Sequence, residues 1–146
     1  MLIIARRIST MVAALMAVAV AGATAGAAAR ADYSGGTFAV SIDSPTVKLG
    51  AKAVIVATIS ATEGFRITES YRHRIVNLSA TDDGVEIGRK VVRGAVRDGA
   101  VVFRVEVVPR TAGAHLVVGV FRFSITNGER LDIKAAPFEA TVTATD

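Results

Sequence analysis

From residue 32 onward, apolar side chains recur at every second position in short runs, and Gly, Asp, Asn and Pro break the runs. This is the pattern of half-buried strands joined by turns. Phe38, Val40 and Ile42 alternate in a first strand that Asp43, Ser44 and Pro45 bring to an end. Residues 52–61 (KAVIVATISA) are apolar at nearly every position except the polar end, as in a strand packed on both sides or near the sheet centre, and a central strand is expected. Residues 74–80 form a third strand with Val76, Leu78 and Ala80 as its inward set, closed by the turn Asp82-Asp83-Gly84. A fourth strand lies within residues 85–96. Asp98-Gly99 is a hairpin signal, because both residues tolerate positive φ. It leads into residues 100–108, where Phe103, Val105 and Val107 face inward and Arg104 and Glu106 outward. After a loop at 109–113, the strand 115–126 places Val117, Phe121, Phe123 and Ile125 on one face. Asn127-Gly128 is a second hairpin turn, followed by residues 129–134 and, after Pro137, by a last strand carrying Phe138, Ala140, Val142 and Ala144.

Helix signals are nearly absent. Short strands at this spacing predict an all-β chain, an antiparallel two-layer immunoglobulin-like β-sandwich of seven or eight strands. A small barrel is the alternative. The sandwich is a single domain spanning residues 32–146, with 32–36 read as a short tail ahead of the first strand.

The first 31 residues read as a signal peptide. Arg6 and Arg7 form a basic start, residues 11–21 are apolar, and small residues allow cleavage near Ala25, Ala29 or Ala31. The apolar run is rich in Ala and Gly and closed by Arg30, too weakly hydrophobic for a retained anchor. The Arg6-Arg7 pair opens the twin-arginine route, but Ile8-Ser9-Thr10 lacks the further apolar residues of that signal, so general secretion is expected. With no cysteine to carry a lipid, the product is expected to be periplasmic or secreted, without stable membrane insertion.

Removal of this segment changes the charge argument. Of 17 Lys and Arg residues, Arg6, Arg7 and Arg30 leave with it, so 14 basic residues face 13 acidic ones and the net charge falls to +1. Such a balanced chain has no broad electrostatic reason to bind nucleic acid. All three methionines, at 1, 11 and 16, leave as well, and there is no Cys or Trp. The fold must then rest on its core, without disulfides.

The same composition excludes thiol redox chemistry, thiolate nucleophiles and thiolate metal sites. His73 and His115 show no short ligand spacing, so neither a metal nor a cofactor is predicted. The serine-hydrolase, phosphate-loop and zinc-protease motifs are absent, and no catalytic residue is predicted. Asp82-Asp83 beside Gly84 reads as a turn. His115, opening its strand after Gly113, reads as a corner residue bonded to backbone. The sequon Asn77-Leu78-Ser79 falls inside a predicted strand and is set aside.

Polar variety concentrates in residues 63–75, EGFRITESYRHRI. The parity of Val76, Leu78 and Ala80, extended backward, would bury Arg72 and Arg74, which an unpaired guanidinium disfavours. Either the strand enters the sandwich only near Ile75, or a bulge near Arg74 and Ile75 resets the alternation. Both options put Glu69, Tyr71, Arg72, His73 and Arg74 at the end or edge of the sandwich, as candidate binding residues. Glu63 and Glu69 could instead pair with Arg66, Arg72 or Arg74, with Tyr71 covering the end of the core. Left open, the arginines and tyrosine suit a carboxylate, a peptide backbone or an acidic protein surface.

The segment GFRITESYRHRI and the later AGAHLVVGVFRFSITNGERLDIKAAPFEATV, residues 64–75 and 112–142, resemble periplasmic immunoglobulin-like domains akin to the N-terminal domain of the thiol:disulfide interchange protein. The resemblance implies an immunoglobulin-like fold and a periplasmic location. In that family two cysteines flank the hairpin, whereas here the neighbourhood holds Thr126, Asn127, Gly128 and Leu131, so the reductase activity does not carry over.

The expected function is therefore an exported, non-enzymatic β-sandwich module for binding or assembly that engages an envelope or secreted protein partner. The alternative is a small-ligand carrier, for an anionic metabolite or a metal, built on the loop 63–74.

Overall fold

The computed structural model describes residues 29–146; the predicted signal peptide, as far as residue 28, lies outside the described residues. The described chain is all-β. Its strands are β1 (Ala29–Ser34), β2 (Phe38–Ser44), β3 (Thr46–Lys48), β4 (Ala53–Ala61), β5 (Arg66–Ile67), β6 (Arg74–Ala80), β7 (Val85–Ile87), β8 (Val92–Arg97), β9 (Ala100–Pro109), β10 (Gly113–Thr126) and β11 (Leu131–Thr145). They form one continuous path, β1-β2-β4-β9-β8-β6-β10-β11-β3, with β5 added on β10 and β7 on β9. The path curls back on itself, so that β2, β4 and β9 face β10 and β11. The ring pairs Phe38–Phe123, at 4.9 Å, and Phe103–Phe121, at 5.2 Å, join the two walls.

The core follows from the period of two. Phe103, Val105 and Val107 are buried while Arg104 and Glu106 are exposed, and Val117, Phe121, Phe123 and Ile125 are fully buried on β10, as the alternation predicts. A fully buried side chain of this size contributes about 1.5–3 kcal/mol. β4 lies between β2 and β9, as expected for a central strand, but only one of its faces is covered: Ala53, Ile55, Ala57 and Ile59 are inside and Val54 is exposed.

The count of seven or eight antiparallel strands does not hold, for three physical reasons. First, the expected tail at 32–36 supplies part of β1, an edge strand paired with β2 from Ala29↔Ser44 to Ser34↔Ala39. Tyr33 anchors it by donating its hydroxyl to the Pro137 carbonyl, 2.5 Å away. Burial and the nearby Glu139 carboxylate push this phenol up to about 12, so it remains a donor. Second, Pro45 ends β2 and the chain passes to the opposite wall, where β3 runs parallel to the end of β11. Third, the expected fourth strand is two strands, β7 and β8, and β8 changes walls. Its residues 94–97 pair with β9, and Val92 and Arg93 pair with β6. Gly94 permits the crossing, because a Cβ there would lie 2.5 Å from Val101 Cγ1 and 2.7 Å from Phe103 Cε1.

The two hairpin signals resolve differently. Asp98 and Gly99 both take positive φ, 51° and 77°, in a two-residue turn between Arg97 and Ala100. At Asn127-Gly128 the loop is longer, four residues between Thr126 and Leu131, because the Asn127 side chain accepts from the N–H groups of Glu129 and Arg130. The two strands expected on either side of Pro137 are one, β11. Pro137 is tolerated because its nitrogen lies on the outer edge, where no ladder bond is required.

Candidate functional site

The alternation of β6 does reset, but later than expected. Ile75 and Leu78 are buried, Asn77 between them has φ 55°, and the pairing with β10 slips by one residue between Val118 and Val120. This is a β-bulge at Asn77, a residue type that tolerates the left-handed conformation. It overturns the inward set Val76, Leu78 and Ala80: upstream of the bulge the inward residues are His73 and Ile75, so Arg72 and Arg74 turn outward.

The five predicted site residues therefore separate. Glu69 and Arg72 are exposed, and Tyr71 and Arg74 are half-buried. His73 is only 2% exposed. Its Nδ1 accepts the Ser124 N–H at 3.4 Å, which leaves the proton on Nε2 to donate to the Thr68 carbonyl at 2.6 Å. Burial lowers its pKa, partly opposed by the bond to Thr68, which favours the neutral ring this tautomer requires. Tyr71 packs edge-on over it at 5.2 Å. With both nitrogens engaged, His73 closes the end of the core and offers no ring nitrogen to a ligand. The expected pairing of Glu63 and Glu69 with the local arginines does not occur among the described residues. Arg74 instead donates to the Arg72 carbonyl at 3.0 Å.

His115 occupies the corner that its position suggested. Its Nε2 lies 2.7 Å from the Thr111 carbonyl, and Nδ1 lies 2.9 Å from Asp82 Oδ1. Asp82 also accepts from Gly84 N–H, as a turn residue does. The hydrogen bond to Asp82, then that to Thr111, raises the His115 pKa, and the same contact lowers that of Asp82. The pair ties the β6–β7 turn to the start of β10. Among the described residues, no group of three or more His, Cys, Asp or Glu side chains is arranged to hold a metal.

Two surface features escaped the sequence. The first is a row of arginines: Arg93 on β8 lies opposite Arg74 on β6, which lies opposite Arg122 on β10. The three are scattered in sequence, so only the strand register brings them together. The second is the outer edge of β11. Thr141 N–H donates to Ser44 Oγ and Thr143 N–H to the Pro45 carbonyl, so odd-numbered residues turn their backbone groups away from β10. Ile133 and Ala135 share that parity, and among the described residues no strand or loop pairs with them. Leu131 and Ile133, 54% and 60% exposed, flank this open edge.

No helix among the described residues is long and apolar enough to cross a membrane. The chain matches no protein-family model, and no curated protein matches it. Among solved structures it is similar to AggA, the major subunit of aggregative adherence fimbriae type I from Escherichia coli, at 10% identity and a TM-score of 0.40, over 80% of this chain and 96% of that one. It is also similar to the GAE domain of GGA2p from Saccharomyces cerevisiae, at 14% identity and a TM-score of 0.35, over 76% and 96% of the two chains.

Proposed function

We propose that this chain is an exported, non-enzymatic module of immunoglobulin-like β-sandwich type that engages a protein partner by strand addition along β11. The observation that carries this reading is the open edge at Ile133 and Ala135 beside the exposed Leu131 and Ile133. An unpaired edge with apolar side chains is a template for another strand, and natural edges are ordinarily blunted by charge or cover. The opposite edge, β1, carries the exposed charge of Asp32 and is anchored by the Tyr33 hydroxyl on the Pro137 carbonyl. The carrier reading through His73 has less support, since both ring nitrogens already have partners.

Two substitutions test this without touching the core. Ala135→Pro removes the outward N–H, and Ile133→Lys places a charge on the edge. A protein crosslinked to the wild-type chain in envelope extracts and identified by mass spectrometry should be lost with both variants. Recovery unchanged by both, or dependent on Tyr71 and Arg74 instead, would move the interface off this edge.

A further inference from the structure

We propose that the outer face of β8, β6 and β10 is a binding site for a linear anionic polysaccharide bearing an acidic group on successive sugars. The proposal rests on the arginine row and stands independently of strand addition at β11. Arg93, Arg74 and Arg122 are directly opposite one another, and opposite residues of antiparallel strands project from the same face. Ile75 and Phe121, their sequence neighbours, are fully buried, so that face is the outer one. Neighbouring strands are ~4.8 Å apart, and the three stems leave the sheet along a line across the strands at that interval.

Like charges set directly opposite one another destabilise a sheet. Among the described residues no carboxylate lies within ion-pair distance of any of the three guanidinium groups. The arrangement is thus unfavourable to the fold alone, and a bound polyanion offsets it. The positive surface also continues beyond the row. Arg93 shares a groove of about 740 Å³ with Arg89, Arg104, Val54 and Val91, in the gap along β9 that opens where β8 changes walls. Glu106, at the same groove, has Lys52 as its partner at 3.5 Å.

The spacing distinguishes a glycan from an acidic peptide. Same-face side chains of an extended peptide recur every ~6.6–6.8 Å, twice the rise per residue and wider than the row. One carboxylate or sulfate per pyranose ring repeats closer to the distance between strands. Beside the arginines, Val76, Val120 and Pro137 form a second row in register, an apolar strip against which the C–H faces of sugar rings can pack.

The test is binding of the purified protein to polygalacturonate, dextran sulfate, neutral dextran and polyglutamate, by affinity electrophoresis and calorimetry at two salt concentrations. Binding to polygalacturonate, dextran sulfate or both, with none to dextran, is expected, and the preferred polymer shows whether carboxylate or sulfate is the natural group. The triple variant Arg74→Gln, Arg93→Gln, Arg122→Gln should bind at least ~10-fold more weakly with a shallower salt dependence. A control with equal charge loss, Lys48→Gln, Arg97→Gln, Arg130→Gln, should change affinity by less than ~3-fold. The row variant should melt no lower than wild type, because it removes repulsion. Absence of binding to both anionic glycans, equal losses in the two triple variants, or tighter binding of polyglutamate than of either glycan would overturn the proposal.

Discussion

His115 Nδ1 sits 2.9 Å from Asp82 Oδ1, across a sequence separation of 33 residues, and is the only ion pair among the described residues with a buried cation. His73, by contrast, is buried against a backbone carbonyl and a backbone N–H, with no carboxylate on it. The two histidines should therefore respond to pH in opposite directions. The pKa of His115 lies above the ordinary 6.5 and that of His73 below it. The contribution of His115 is complete below 6.5 and is lost as pH rises through its elevated pKa; that of Asp82 is complete above 3.8 and lost as pH falls. His73 contributes above 6.5 and destabilises as pH drops below it. NMR titration of the two ring C–H signals should give midpoints on opposite sides of 6.5. His115→Gln should lower the melting temperature more at pH 6 than at pH 8.5. The reverse order of midpoints would contradict the assigned hydrogen bonds.

Gly84 supports the same corner. A Cβ at this position would lie 2.1 Å from His115 Cε1 and 2.5 Å from Thr111 Oγ1, and the Gly84 carbonyl receives the N–H groups of Arg110 and Thr111. The ring cannot swing aside without leaving Asp82. Gly84→Ala is expected to cost about 1–3 kcal/mol by overpacking. The His115→Ala background should reduce that cost, a coupling that urea unfolding of the four-member mutant cycle measures. Additive effects would show that the ring is not the obstacle.

The bulge at Asn77 gives a sharper conformational test. Its φ of 55° is left-handed. Asn77→Gly should leave stability within a few tenths of a kcal/mol of wild type, whereas Asn77→Val should lose about 1–2 kcal/mol. Asn77 is exposed, so no core packing confuses the comparison. Equal stabilities for Gly and Val would place the bulge elsewhere.

Phe121 joins both walls of the core, touching Phe103 at 5.2 Å and Phe138 at 5.4 Å. Phe121→Ala should cost about 3–5 kcal/mol in denaturant unfolding. Phe121→Leu should cost less, since much of the volume is kept. A loss under about 1 kcal/mol for the alanine variant would mean that the walls do not depend on this ring.

The strands β2, β6, β9 and β10 were legible because each carries enough alternating apolar residues to mark its buried face by itself. Even β6, whose boundaries agree with the pattern, hides its facing, because Val76 and Leu78 look like an inward pair unless Asn77 is known to be left-handed. β1, β3 and β5 carry too few residues or too little pattern, and exist only because a neighbour supplies their hydrogen bonds. Of the candidate site, the segment 63–75 offers His73 as one of five candidate binding residues, whereas the fold buries it. Sequence position shows neither where an imidazole points nor what meets its nitrogens.

Consecutive residues thus suffice for the all-β class, most of the inward residues, the Asp98-Gly99 turn and the absence of thiol chemistry in a cysteine-free chain. These depend on local stereochemistry and on residue identity, both of which are written in consecutive positions. The row of Arg93, Arg74 and Arg122, the open edge of β11 and the enclosure of His73 arise only when the strands assemble. The arginine row and the facing of His73 are set by strand register, which a shift of one residue would undo, and the open edge of β11 by strand order, since β3 reaches only the end of that strand.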